Sequence, residues 1–163
     1  MRVVCFLFAA LALQLSPAVY AADAEDFSDG MRIFQQKANC QGCHGWAGDG
    51  RKMDNQMPTG ANLRESKLDR AALVMVIKCG LPGTGMPPFD RFAYTDARCF
   101  GKTKADLSAA GIHMSDPPAT LQPREVELLA DFITAKILGK GAMTRAACID
   151  YWDGEAEPCN DLK

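Results

Sequence analysis

The sequence has no basic excess: 18 lysines and arginines against 20 acids leave 163 residues at a formal charge of −2. Nucleic-acid binding through a basic stripe therefore has no electrostatic foothold. It also lacks an apolar run of the roughly 20 residues needed to cross a bilayer. There is no internal repeat, no low-complexity linker, and no phosphate-binding loop or paired nucleophile and base beside the one strong motif. The length excludes a large two-domain enzyme, and 48% hydrophobic with 23% charged residues is the composition of one soluble globular domain.

What the chain has in quantity is cysteine, seven in all, so the compartment decides how they are read. Met1 and Arg2 precede an uncharged apolar run from Val3 to Leu15, followed by Ser16, Pro17 and small residues. This reads as a secretory signal peptide over residues 1–21, with Val19 and Ala21 at the cleavage site. The expected location is the periplasm, after transfer across the inner membrane and with no stable membrane insertion once the leader is removed. Cys5 leaves with the leader, and six cysteines remain.

Cys40-Gln41-Gly42-Cys43-His44 has the spacing at which two thiols add to the vinyl groups of haem and the next residue reaches the iron. A thioredoxin-like pair would want a strand before the motif, where a helical pattern stands instead. A zinc site would want a second ligand pair at finger-like spacing.

With Gly30-Met31-Arg32-Ile33-Phe34 ahead of the pentad and Cys43-His44-Gly45-Trp46-Ala47-Gly48-Asp49-Gly50 after it, the sequence resembles the class I c-type cytochromes. The resemblance implies an all-α fold with one covalent haem c, His44 as proximal ligand, a methionine as distal ligand, and electron transfer rather than enzymatic catalysis. It also implies that Gly30 lets the C-terminal helix cross closely, with Phe132 as its contact, and that a proline carbonyl orients His44, for which Pro58 is the candidate. Met86, in Gly83-Thr84-Gly85-Met86-Pro87-Pro88-Phe89, resembles the family's ligand loop. Met114, before Ser115-Asp116-Pro117-Pro118, is the rival, and His113 a third candidate.

The pattern places a first helix from a cap at Ser28 or Asp29 to about Ala38, then a glycine-rich loop over 45–62. Ser66 with Asp69 forms a capping box before the helix that ends at Gly80, and Thr103 with Asp106 repeats the signature before a short helix stopped by Gly111. Pro123 opens the clearest helix, running to about Leu138 with Val126, Leu129, Ile133 and Ile137 on one stripe. The expected organisation is a cytochrome c domain over 22–142 and a disulfide-stapled C-terminal extension over 143–163.

Cys79, Cys99, Cys148 and Cys159 allow three pairings, of which Cys79 with Cys99 and Cys148 with Cys159 close the smallest loops. A second metal site is the alternative use of these thiols. This pattern, with Phe89-Asp90-Arg91-Phe92-Ala93-Tyr94-Thr95-Asp96 and the extension holding Trp152, looks like a branch of bacterial cytochromes associated with methanol metabolism. That likeness implies a carrier that accepts electrons from a quinoprotein alcohol (methanol) dehydrogenase and passes them to a larger cytochrome or terminal oxidase. The alternatives are a gas-sensing or peroxide-reducing haem with an open sixth position, and a cytochrome subunit of a dehydrogenase complex. Residues 51–104 carry ten basic and five acidic groups, so a basic docking rim is a further expectation.

Overall fold

The computed structural model describes residues 24–163; the leader expected over 1–21 and its cleavage point lie outside them. The described elements are helical, as expected: α1 (Ala24–Arg32) running on into a π-turn (Ile33–Lys37), α2 (Cys40–His44), a 3₁₀ turn (Leu63–Glu65), α3 (Arg70–Cys79), α4 (Lys104–Ala109), α5 (Pro123–Lys136), α6 (Arg145–Trp152) and a 3₁₀ turn (Glu157–Cys159). Among the described residues the only β-type pairing is an isolated bridge between Cys99 and Lys102.

α1 and α5 cross at Gly30. A methyl group there would overlap Phe132 Cβ and lie 2.6 Å from the Leu128 carbonyl oxygen, so the absent side chain is what lets the helices approach. Around the crossing, Ile33, Phe34, Leu129, Phe132 and Ile133 are buried, and Leu73 and Ile77 of α3 close the core from the third side. Where α1 passes into the π-turn, the Ala38 N–H reaches back five residues to the Ile33 carbonyl, and Asn39 at φ 47° turns the chain into α2.

Two helix starts differ from expectation. α1 runs through Ser28 and Asp29, and Asp29 accepts from Arg32 at 2.9 Å across one turn instead of capping. Before α3 the cap is Asp69 itself, whose carboxylate accepts the Ala72 N–H at 2.8 Å; Ser66 closes the preceding 3₁₀ turn. The local signal was right about where a helix begins and wrong about which oxygen serves, because Ser66 Oγ accepts the Leu68 N–H at 3.3 Å instead. At α4, Thr103 and Asp106 form the expected reciprocal box, and Pro123 stands at the first position of α5.

α5 ends at Lys136, two residues before the expected end, and its C-terminus is held by an interior cation. Arg64, 2% exposed, donates from Nε to the Gly141 carbonyl at 2.5 Å and from Nη1 to the Lys136 carbonyl at 3.4 Å. A guanidinium at a helix C-terminus meets both the free carbonyls and the negative end of the helix dipole.

The C-terminal extension joins the main core. Tyr151 of α6 is fully buried, with its ring 5.6 Å from those of Phe132 and Trp46, and Trp152 stacks on Trp46 at 6.1 Å. Burial pushes the Tyr151 phenol up to about 12, Gln35 and Arg64 pulling the other way. An unfolded tyrosine ionises near 10, so stability from the neutral phenol is complete below about pH 10 and is lost as pH rises toward 12. Between pH 8 and pH 11 this component falls by about 1.4 kcal/mol. Urea titrations at those two pH values should show a loss of stability about 1.4 kcal/mol larger in the native protein than in Tyr151→Phe.

Candidate functional site

α2 is a single turn of helix that holds Cys40, Cys43 and His44 together. Gly42 sits inside it with the Asn39 amide close by, 2.9 Å from where a Cβ would be. The glycine-rich loop then returns to the turn: Gly60 donates to the Cys43 carbonyl at 2.9 Å and Gly50 to the His44 carbonyl at 2.8 Å. His44 Nδ1 lies 2.8 Å from the Ala61 carbonyl, which accepts a hydrogen bond from Nδ1–H, so Nε2 is the nitrogen left for a ligand. Gly60 lies flat under the ring; a Cβ on it would come 2.7 Å from Nδ1. Burial pushes the His44 imidazole below its ordinary value, against the Ala61 carbonyl.

The expected orienting carbonyl was that of Pro58; the structure gives the role to Ala61. A main-chain acceptor carries no side-chain signature, so its position in a long loop is not written in residue type. Pro58 has another place: its ring lies where a Cβ on Gly85 would come within 2.7 Å of Pro58 Cγ, so the histidine loop and the Met86 strap touch there.

The strap is pinned to the end of α3. Leu81 donates to the Met86 carbonyl at 3.1 Å, Thr84 Oγ1 accepts the Met86 N–H at 3.1 Å, and Phe89 donates to the Ile77 carbonyl at 3.1 Å. Gly80 sits at φ 61° with the Met86 carbonyl oxygen 2.6 Å from where a Cβ would be, a position only glycine fills without strain. Met86 packs half-buried on the same core as Cys40, Trp46 and Leu63. Met114 packs instead on a satellite cluster of Cys79, Tyr94, Cys99 and Leu107, and His113 is exposed.

Cys79 is bonded to Cys99 and Cys148 to Cys159, each with Cα atoms 5.5 Å apart. These are the two smallest loops, and they remove the thiols that a second metal site would have used. Cys40 and Cys43 remain as thiols. Burial pushes Cys40 up to about 12 and raises Cys43 as well.

Residues 25–99 match the family described as cytochrome C oxidase, cbb3-type, subunit III. The match supports a c-type cytochrome over this segment. No curated protein and no solved structure matches the chain. The match takes in α1, the pentad, α3 and the Met86 strap, and ends at Cys99. The cofactor of a cytochrome c domain is covalently bound haem c, and the residues fit it: two thiols outside the disulfides on one helical turn, an imidazole with Nδ1 tied to backbone, and glycines where the ring packs. The cytochrome c domain supports a haem-containing electron carrier with redox proteins as partners. No helix among the described residues is long and apolar enough to cross a membrane.

Side chains missed in the sequence are those whose role depends on the neighbours the fold supplies. Arg64 reads as a surface charge until its backbone acceptors are known. Trp46 reads as loop filler until Tyr151 and Trp152 are placed on it.

Proposed function

We propose that the protein is a periplasmic one-electron carrier, not an enzyme, with one domain over 22–142 and an extension over 143–163. Cys40 and Cys43 tether haem c by thioethers, His44 Nε2 is the proximal ligand and Met86 Sδ the distal one. Bound haem supplies a one-electron couple, and a methionine on the iron raises its potential and closes its coordination sphere. The protein's part is positional. Ala61 orients the imidazole, Gly80 and the strap hydrogen bonds hold the thioether ready, and the leader over 1–21 directs the chain to the compartment.

The observation that carries the ligand assignment is that Met86 shares a core with Cys40 while Met114 belongs to the disulfide cluster. Met86→Ala is expected to abolish the near-infrared methionine-to-iron charge-transfer band and lower the potential, with Met114→Ala retaining both. Loss of the band in the Met114 variant alone would reverse the assignment. Absence of the band from the native protein would favour an open sixth position.

The donor in this reading is a quinoprotein alcohol (methanol) dehydrogenase and the acceptor a larger cytochrome or terminal oxidase. Support comes from the extra cysteine pairs, the run from Phe89 to Asp96 and the aromatic extension, which together resemble carriers of methanol metabolism.

A further inference from the structure

Both exposed phenylalanines of the described chain, Phe92 at 45% and Phe100 at 46%, stand eight residues apart in one loop between α3 and α4. The loop's inner side is fixed. Cys79 and Cys99 bond beneath it, Tyr94 donates its hydroxyl to the Cys79 carbonyl at 2.8 Å, and the Lys104 N–H returns to the Tyr94 carbonyl at 2.8 Å. Asp90 and Asp96 each accept a backbone N–H two residues on, from Phe92 at 2.8 Å and Arg98 at 2.9 Å.

Its outer side presents Phe92 with two guanidiniums near the ring, Arg91 at 4.3 Å and Arg98 at 5.8 Å from the centroid, followed by exposed Phe100, Lys102 and Lys104. Phe100 sits at φ 55°, in the left-handed region that a bulky residue rarely adopts. An aromatic held in that conformation with its ring in water is unfavourable on both counts in the free protein. Rigid aromatics flanked by arginine are the side chains that dominate protein interfaces, and a pre-ordered loop loses little freedom on docking.

Resting on the carrier reading above, we propose that the clipped loop from Asp90 to Lys104 is the surface on which a redox partner protein docks, and that this partner presents carboxylates around an apolar patch. The loop's four basic residues outnumber its two acids, and Asp96 is taken by Arg98 at 2.7 Å. A lipid surface fits less well, since juxtamembrane lipid sites are runs of four to eight cations without interleaved acids. A second copy fits less well too, because three of the five extension carboxylates are engaged at home, Asp150 and Asp153 with Lys136 and Glu155 with Arg145, which leaves Glu157 and Asp161 to meet four basic residues.

The test uses the haem-loaded protein and stopped-flow reduction by purified quinoprotein methanol dehydrogenase, with neutral hydroquinone as reference reductant. Phe92→Ser with Phe100→Ser is expected to slow the dehydrogenase reaction about tenfold and leave the hydroquinone reaction unchanged. Arg91→Glu with Lys102→Glu and Lys104→Glu should slow it similarly at low salt, the difference shrinking as salt screens the charges. Unchanged dehydrogenase rates in both variants would overturn the proposal. If the dehydrogenase does not reduce the native protein, that donor assignment fails on its own. The loop is then read from oxidation of the ferrous protein, in which one electron passes to hexacyanoferrate(III) or to the cation tris(phenanthroline)cobalt(III). Selective slowing of the anion in the triple variant supports the basic surface, and an equal response overturns it. Phosphatidylglycerol-vesicle binding, or a dimer, that the serine variant abolishes without changing the dehydrogenase rate would assign the loop to lipid or to self-association and would also overturn it.

Discussion

The exported protein with Cys40→Ala and Cys43→Ala is expected to carry no covalent haem. The other four cysteines of the described chain are already bonded in pairs, so these two sulfurs are the only ones from which thioethers can form. A thioether survives boiling in detergent, whereas haem held only by His44 and Met86 leaves as soon as the fold opens. Haem staining of a denaturing gel and the intact mass check this together. The native chain should stain and the double variant should not, while both retain two disulfides by thiol counting. A stained band at the mature mass of the double variant would remove the basis of the site.

The second large effect is expected at Gly30, where two tendencies oppose each other. In an exposed helix interior, glycine to alanine stabilises by roughly 0.5–1 kcal/mol because glycine has more freedom to lose. At the α1–α5 crossing, the added carbon meets Phe132 Cβ and a backbone carbonyl, neither of which can swing aside like the end of a flexible side chain. Forcing atoms into a filled core costs about 1–3 kcal/mol. The steric cost wins: Gly30→Ala should lower stability by about 1–2 kcal/mol, and Gly30→Val, with two further methyls, by about 3 kcal/mol. The midpoint of a urea titration reads both, and a midpoint that rises in the alanine variant would show that the helices separate freely.

Gly30 was legible because a missing side chain at an aromatic-spaced position has one use when a second helix must cross, and Phe132 lies where that helix brings it. The pentad was legible for a similar reason, since its spacing is fixed by the ligand's own dimensions. The cap at Thr103 and the start at Pro123 were legible because capping is a local transaction between residues three apart. The acceptor for His44 was not, because a carbonyl at Ala61 is chemically the same as one at Pro58 and only the path of the loop separates them. Asp69 rather than Ser66 at the start of α3 has the same origin, two suitable oxygens within one turn. Arg64 was hidden by its charge, which points to the surface unless backbone carbonyls are known to wait inside. The part played by Tyr151 lay beyond reach because the extension has little amphipathic pattern of its own and takes its burial from a core assembled elsewhere.

The two disulfides and the pentad share an ordering along the chain. Cys40 and Cys43 come first, then Cys79 with Cys99, then Cys148 with Cys159, so each cysteine's partner is the next one in sequence and no loop encloses another. A chain delivered from its N-terminus presents one matched pair at a time, and the bridges close over separations of 20 and 11 residues, which are entropically cheap to bring together. Oxidation can therefore proceed by nearest-neighbour closure with little reshuffling. The hazard is confined to the first pair, which must stay reduced until haem arrives while later thiols are being oxidised. Biogenesis of this molecule is thus a problem of timing, one pair of thiols kept reduced while two later pairs are oxidised, and the order of its cysteines keeps the two fates apart along the sequence.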